Sequence, residues 1–93
     1  MKAYTYVKPG LASFVDVDKP VIRKPTDAIV RIVKTTICGT DLHIIKGDVP
    51  ACKSGTNLGH EGIGIVEEVG AGVSNFKKGD KVLISCVCAC GKC

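Results

Sequence analysis

Ala28-Ile29-Val30-Arg31-Ile32-Val33-Lys34-Thr35-Thr36-Ile37 is the most strand-like run in the chain. Seven of its ten residues are Ile, Val or Thr, whose branched Cβ atoms suit a pleated, half-buried surface. The run therefore predicts a strand that delivers Cys38 at its end. Gly39 breaks it, and Thr40 can cap a short helical turn through Asp41, Leu42, His43, Ile44 and Ile45. Residues 46–57 contain Gly47, Pro50, Ser54 and Gly55 and read as a loop. A second strong strand spans His60 to Val69. Its alternation puts Ile63, Ile65 and Val69 on one face and Gly62 and Gly64 on the other, and glycines within a strand signal close approach of another group.

Upstream, Lys2 to Val7 and Ser13 to Val17 read as strands joined through a Pro9-Gly10 turn. Pro20 and Pro25 bracket an irregular stretch, because proline cannot donate to a sheet ladder. Downstream, Gly70-Ala71-Gly72 and Lys78-Gly79-Asp80 are turns, and Lys81 to Ser85 is a further strand. Short strands separated by frequent turns predict a mainly β fold, a small barrel with one helical segment.

The chemistry concentrates on either side of the loop. Cys38-Gly39-Thr40-Asp41-Leu42-His43 precedes it, and Gly59-His60-Glu61-Gly62 follows it. Thiolate, imidazole and carboxylate are the side chains that hold catalytic zinc with a position left open for water or substrate. Taken singly, Cys38 reads as a small buried hydrophobe, His60 as a satisfied polar group at a strand end, and Glu61 as solvated surface. Taken together, in this order, they point to a zinc enzyme.

Composition narrows the class. The 93 residues suffice for one domain, and the 45% hydrophobic content can bury a modest core. The net charge of +4 comes from basic residues scattered among acidic ones, so no basic stripe indicates nucleic acid. The opening Met1-Lys2-Ala3-Tyr4-Thr5-Tyr6-Val7 lacks the apolar run of a signal peptide, and no segment approaches the ~20 apolar residues of a membrane helix. The expectation is a cytoplasmic protein with neither a nucleic-acid nor a membrane partner. Without an export signal, the six cysteines read as metal ligands or thiols rather than disulfides. Four crowd the end as Cys86, Cys88, Cys90 and Cys93, and Cys90-Gly91-Lys92-Cys93 is half of a four-cysteine zinc motif. The chain reads as the N-terminal piece of a longer protein.

The order Cys-Gly-Thr-Asp-Leu-His, Gly-His-Glu-Gly-Ile-Gly-Ile-Val-Glu-Glu-Val-Gly, Phe76-Lys77-Lys78-Gly79-Asp80-Lys81-Val82 and Cys-Gly-Lys-Cys resembles the zinc-dependent alcohol dehydrogenases of the medium-chain dehydrogenase/reductase family. The resemblance implies that residues 1–93 are the N-terminal part of a GroES-like catalytic domain with a partly open β-barrel. It also implies a separate Rossmann domain for NAD(H) or NADP(H), whose glycine fingerprint this chain does not contain. The implied reaction is reversible oxidation of an alcohol to an aldehyde or ketone, with hydride transfer to the nicotinamide, in a homo-oligomer.

The same resemblance assigns roles. Cys38 and His60 match ligands of the catalytic zinc, and Glu61 matches a carboxylate that either binds the metal or approaches it during ligand exchange. Asp41 matches the carboxylate that orients the liganding histidine, although an acidic residue in a first helical turn also suits the helix dipole. Thr40 matches the acceptor of the substrate's hydroxyl proton. His43 matches the group that passes that proton to solvent through the cofactor ribose, a task suited to imidazole with its ordinary pKa near about 6.5. Cys90 and Cys93 match two ligands of a structural zinc lobe, whereas Cys52, Cys86 and Cys88 have no counterpart and read as buried or free thiols. Gly39 departs from relatives that place a basic residue there to meet the cofactor phosphate.

Threonine and polyol dehydrogenases of the family share these motifs. A non-enzymatic zinc module built on the terminal cysteines is a reading of another class, as is a thiol redox protein using Cys90 and Cys93. The last is disfavoured, because the pair follows a strand without the helix start that would lower a thiolate pKa.

Overall fold

The computed structural model describes residues 1–89. Its elements are β1 (Lys2–Lys8), β2 (Leu11–Asp16), β3 (Ala28–Thr35), α1 (Gly39–Lys46), β4 (Gly62–Val69) and β5 (Lys81–Ile84). The fold is mainly β with a single helix among the described residues, as the sequence predicts. The strands form a two-stranded and a three-stranded sheet, and neither closes on itself. The chain divides into two compact units, Met1–Lys19 with Thr36–Gly59, and Pro20–Thr35 with the stretch that begins at His60.

In the first unit β1 and β2 pair antiparallel, from Lys2 opposite Asp16 to Tyr6 opposite Ala12. They turn at Gly10, whose φ of 81° suits a residue without Cβ. β2 begins two residues earlier than the sequence suggests because Leu11 pairs with Lys8 directly after the turn. The loop after α1 lies along β1: Tyr6 N–H donates to the Thr56 carbonyl (2.9 Å), Gly55 N–H to Tyr6 (2.8 Å) and Leu58 N–H to Tyr4 (2.8 Å). The Thr5 hydroxyl donates to Asn57 Oδ1 at 2.9 Å. These bonds satisfy loop backbone that would otherwise need water, and they bury Thr5 and Tyr6. α1 ends in the left-handed Gly47, packed where a Cβ would come within 2.9 Å of Pro9. Gly10 N–H donates to the Ile45 carbonyl and ties the helix to the hairpin turn.

In the second unit β3, β4 and β5 are antiparallel in that order. The β3–β4 ladder has two irregularities. Opposite Ile29 and Val30, β4 contributes an extra residue, Glu67; opposite Gly64 and Ile63, β3 contributes an extra residue, Val33. One bulge on each strand restores the register, so Ala28 faces Val69 at one end and Thr35 faces Gly62 at the other.

The face of β4 that packs most closely is the glycine-bearing one, where Gly64 and Val66 are buried, Val66 to 2% exposure. At Gly64 a Cβ would meet Val30 Cγ1 at 2.4 Å and the Arg31 carbonyl oxygen at 2.5 Å. The glycine thus yields its volume to β3, the close approach that glycines in a strand announce. Ile29 completes this small core.

Two turns frame the sheet. Gly70 N–H donates to Asp27 (2.7 Å) and Gly72 N–H to Pro25 (2.8 Å), while the Asp27 carboxylate accepts the N–H groups of Lys24 and Arg23 at 2.9 and 3.1 Å. Before β5, Lys77 N–H donates to the Asp80 carboxylate at 3.0 Å, and Gly79 takes a φ of 96°. No helix of the described residues is long and apolar enough to cross a membrane.

Candidate metal centre

Two chain segments leave the Thr35–Gly62 end of the β3–β4 ladder, and the chemistry lies on both. β3 stops at Thr35, three residues short of Cys38, and β4 starts at Gly62, two residues past His60. Both strands are shorter here than the sequence suggests. The Thr35 hydroxyl donates to the Glu61 carbonyl, a bond that holds the backbone beside His60 to the ladder end. This role of Thr35 is not visible in its strand-like sequence context.

Cys38 takes an extended conformation, φ −98° and ψ 155°, and is itself the N-cap of α1. Thr40, expected to cap, is instead the second helical residue. The cap moves to Cys38 because Asp41, third in the helix, reaches back: its Oδ2 accepts the Cys38 N–H at 3.0 Å, and its own N–H donates to the Cys38 carbonyl at 3.1 Å. A carboxylate in that place also faces the positive end of the helix dipole. Asp41 is 6% exposed, which makes this bond an inner one rather than a solvated contact.

Thr40 is exposed, with Oγ1 3.7 Å from the Cys38 sulfur, at which distance a thiol donates to the hydroxyl. His43 lies three residues further, hence on the same side of the helix. Its Nδ1 is 3.1 Å from Asp48 Oδ2, and its carbonyl accepts the Asp48 N–H at 3.0 Å. Asp48 is absent from the sequence reading, which ends the motif at His43; the signal available was an acidic residue directly after the helix-ending Gly47.

His60 is half-buried and Glu61 exposed. Among the described residues, Cys38, His60 and Glu61 are the group of three that could hold a metal ion. Thiol, imidazole and carboxylate are donor types zinc accepts, so the residues fit that metal. Of the remaining cysteines, Cys52 is a half-buried free thiol, and Cys86 and Cys88 are exposed free thiols, as expected. Cys90 and Cys93, the candidates for a second zinc site, lie outside the described residues.

Residues 24–93 match the alcohol dehydrogenase GroES-like domain. The chain belongs to this family. The chain is similar along its whole length, at 48% identity, to an uncharacterised zinc-type alcohol dehydrogenase-like protein of Bacillus subtilis, of which it covers 25%. Among solved structures it resembles the apo form of zinc dependent alcohol dehydrogenase 2 from Streptococcus pneumonia, with a TM-score of 0.96, 95% identity, and coverage of 100% of this chain and 27% of that one. It also resembles a putative zinc-binding dehydrogenase from Sinorhizobium meliloti bound to NADP, with a TM-score of 0.78, 32% identity, and coverage of 99% and 26%. The chain thus spans about a quarter of the length of the relatives it matches.

Proposed function

We propose that residues 1–93 form the N-terminal part of the catalytic domain of a zinc-dependent alcohol dehydrogenase. The enzyme would oxidise a small alcohol reversibly to an aldehyde or ketone, with NAD(H) or NADP(H) taking the hydride. The observation that carries this reading is the donor set itself, Cys38, His60 and Glu61, on the two segments that leave one ladder end, in a chain of the GroES-like family. The NADP-bound relative supports the choice of cofactor. A homo-oligomer in the cytoplasm, with no membrane or nucleic-acid partner, completes the proposal.

Cys38, His60 and Glu61 would hold the catalytic zinc, and Cys90 and Cys93 would supply two ligands of a structural zinc. Bound zinc supplies Lewis acidity. The chain's own groups do the rest. Asp41 fixes the Cys38 backbone through the N–H bond and orients His60. The Thr40 hydroxyl, beside the cysteine sulfur, accepts the proton of the substrate's hydroxyl. His43, one helical turn on, passes that proton towards solvent and meets the cofactor ribose.

Cobalt(II) titration of the chain tests the ligand assignment, since cobalt occupies zinc sites and its thiolate absorption reports the ligands. C38S and H60A should each abolish a band that C90S/C93S retains. A band that survives C38S/H60A and disappears in C90S/C93S would instead establish a non-enzymatic module on the terminal cysteines.

A further inference from the structure

We infer that Asp48 is the positioning residue for His43, fixing its ring so that Nε2 is the nitrogen that takes and releases the proton. This rests on the reading of His43 as the proton relay. The carboxylate of Asp48 lies 3.1 Å from His43 Nδ1. An ionised carboxylate has only acceptors, so Nδ1 must carry the hydrogen that joins them. In a neutral imidazole the other nitrogen is then the one with a lone pair.

The backbone makes this arrangement a built one. Gly47 turns the chain in the left-handed conformation with φ 90°, which lets the Asp48 N–H return to the carbonyl of His43 at 3.0 Å. Asp48 is therefore held by the main chain of the residue whose side chain it meets. Both side chains are well exposed, 63% for His43 and 57% for Asp48. At such exposure a pair adds little to stability, so its consequence lies in the tautomer and direction of the ring rather than in the fold.

Long-range proton–nitrogen NMR of the ¹⁵N-labelled chain reads the tautomer directly, at a pH where the imidazole is neutral, with the His43 signals assigned from H43Q. The wild-type ring should be mainly the Nδ1–H form. In D48A the Nδ1–H to Nε2–H ratio should fall by at most roughly fivefold, the weight of one ordinary hydrogen bond, with only a slight shift of the unfolding midpoint. A wild-type ring mainly in the Nε2–H form, or a ratio that D48A leaves unaltered, would overturn the inference. Should D48A fail to fold, the wild-type tautomer alone decides. An H43Q enzyme with undiminished turnover would remove the relay reading but leave the tautomer result standing, so the two failures are distinguishable.

Discussion

The Cys38 N–H donates to the Asp41 carboxylate at 3.0 Å, closing the first turn of α1 on the residue that starts it. Asp41 is almost wholly buried, and removing its carboxylate leaves a donor inside the protein without its acceptor. D41A should therefore destabilise the chain by about 1–3 kcal/mol. D41N, which keeps an acceptor oxygen but loses the charge facing the helix N-terminus, should cost less. Urea unfolding of both variants checks this, and equal losses would show that the acceptor oxygen contributes nothing.

Gly64 and Gly62 neighbour each other on one face of β4 but tolerate a methyl group differently. A Cβ at Gly64 meets the Arg31 carbonyl oxygen at 2.5 Å, whereas at Gly62 the nearest atom is Ile32 Cδ1 at 3.2 Å, the mobile end of a side chain. G64A should lose about 1–3 kcal/mol or more through overpacking, and G62A should be milder. Thermal unfolding of the two variants side by side measures the difference.

The Asp27 carboxyl is held below the ordinary carboxylate value, first by the Lys24 N–H and then by the Arg23 N–H. The folded chain thus binds this proton more weakly than the unfolded chain does. The stabilisation is complete above the unfolded carboxyl's value and fades as the pH falls through the lower folded value. D27N should show a flatter loss of stability on acidification than the wild type, measured by unfolding at a series of acid pH values. Parallel curves would exclude Asp27 from the acid response.

H43Q should retain zinc in the enzyme that carries this chain, because His43 stands outside the proposed ligand set. Alcohol oxidation should slow by about 10²-fold or more through loss of the proton relay, and its pH profile should change shape. Metal analysis and steady-state rates across pH measure the two effects separately. A profile identical to wild type would make His43 ordinary surface.

The sequence showed the strands most clearly where β-branched residues crowd together, as from Ile29 to Thr35, and where glycine marks a turn, as at Gly10 and Gly79. The candidate ligands were legible from residue type and order. The position of the helix cap was not. Cysteine is outside the usual N-cap set, and only the reach of Asp41 makes Cys38 one. The two bulges of the β3–β4 ladder were hidden for another reason: strict alternation cannot reveal an extra residue, which depends on the partner strand. Asp48 lay beyond the motif, and its approach to His43 is created by the left-handed turn at Gly47.

The paired bulges of the β3–β4 ladder behave like two frameshifts that suppress one another. Val33 adds a residue to β3 and Glu67 adds one to β4, so each alone would displace the far end of the ladder. Deleting Val33 should therefore move Thr35 out of its place opposite Gly62. Deleting Val33 together with Glu67 should return Thr35 to its place opposite Gly62. Length variation in these two strands is tolerable only in matched pairs.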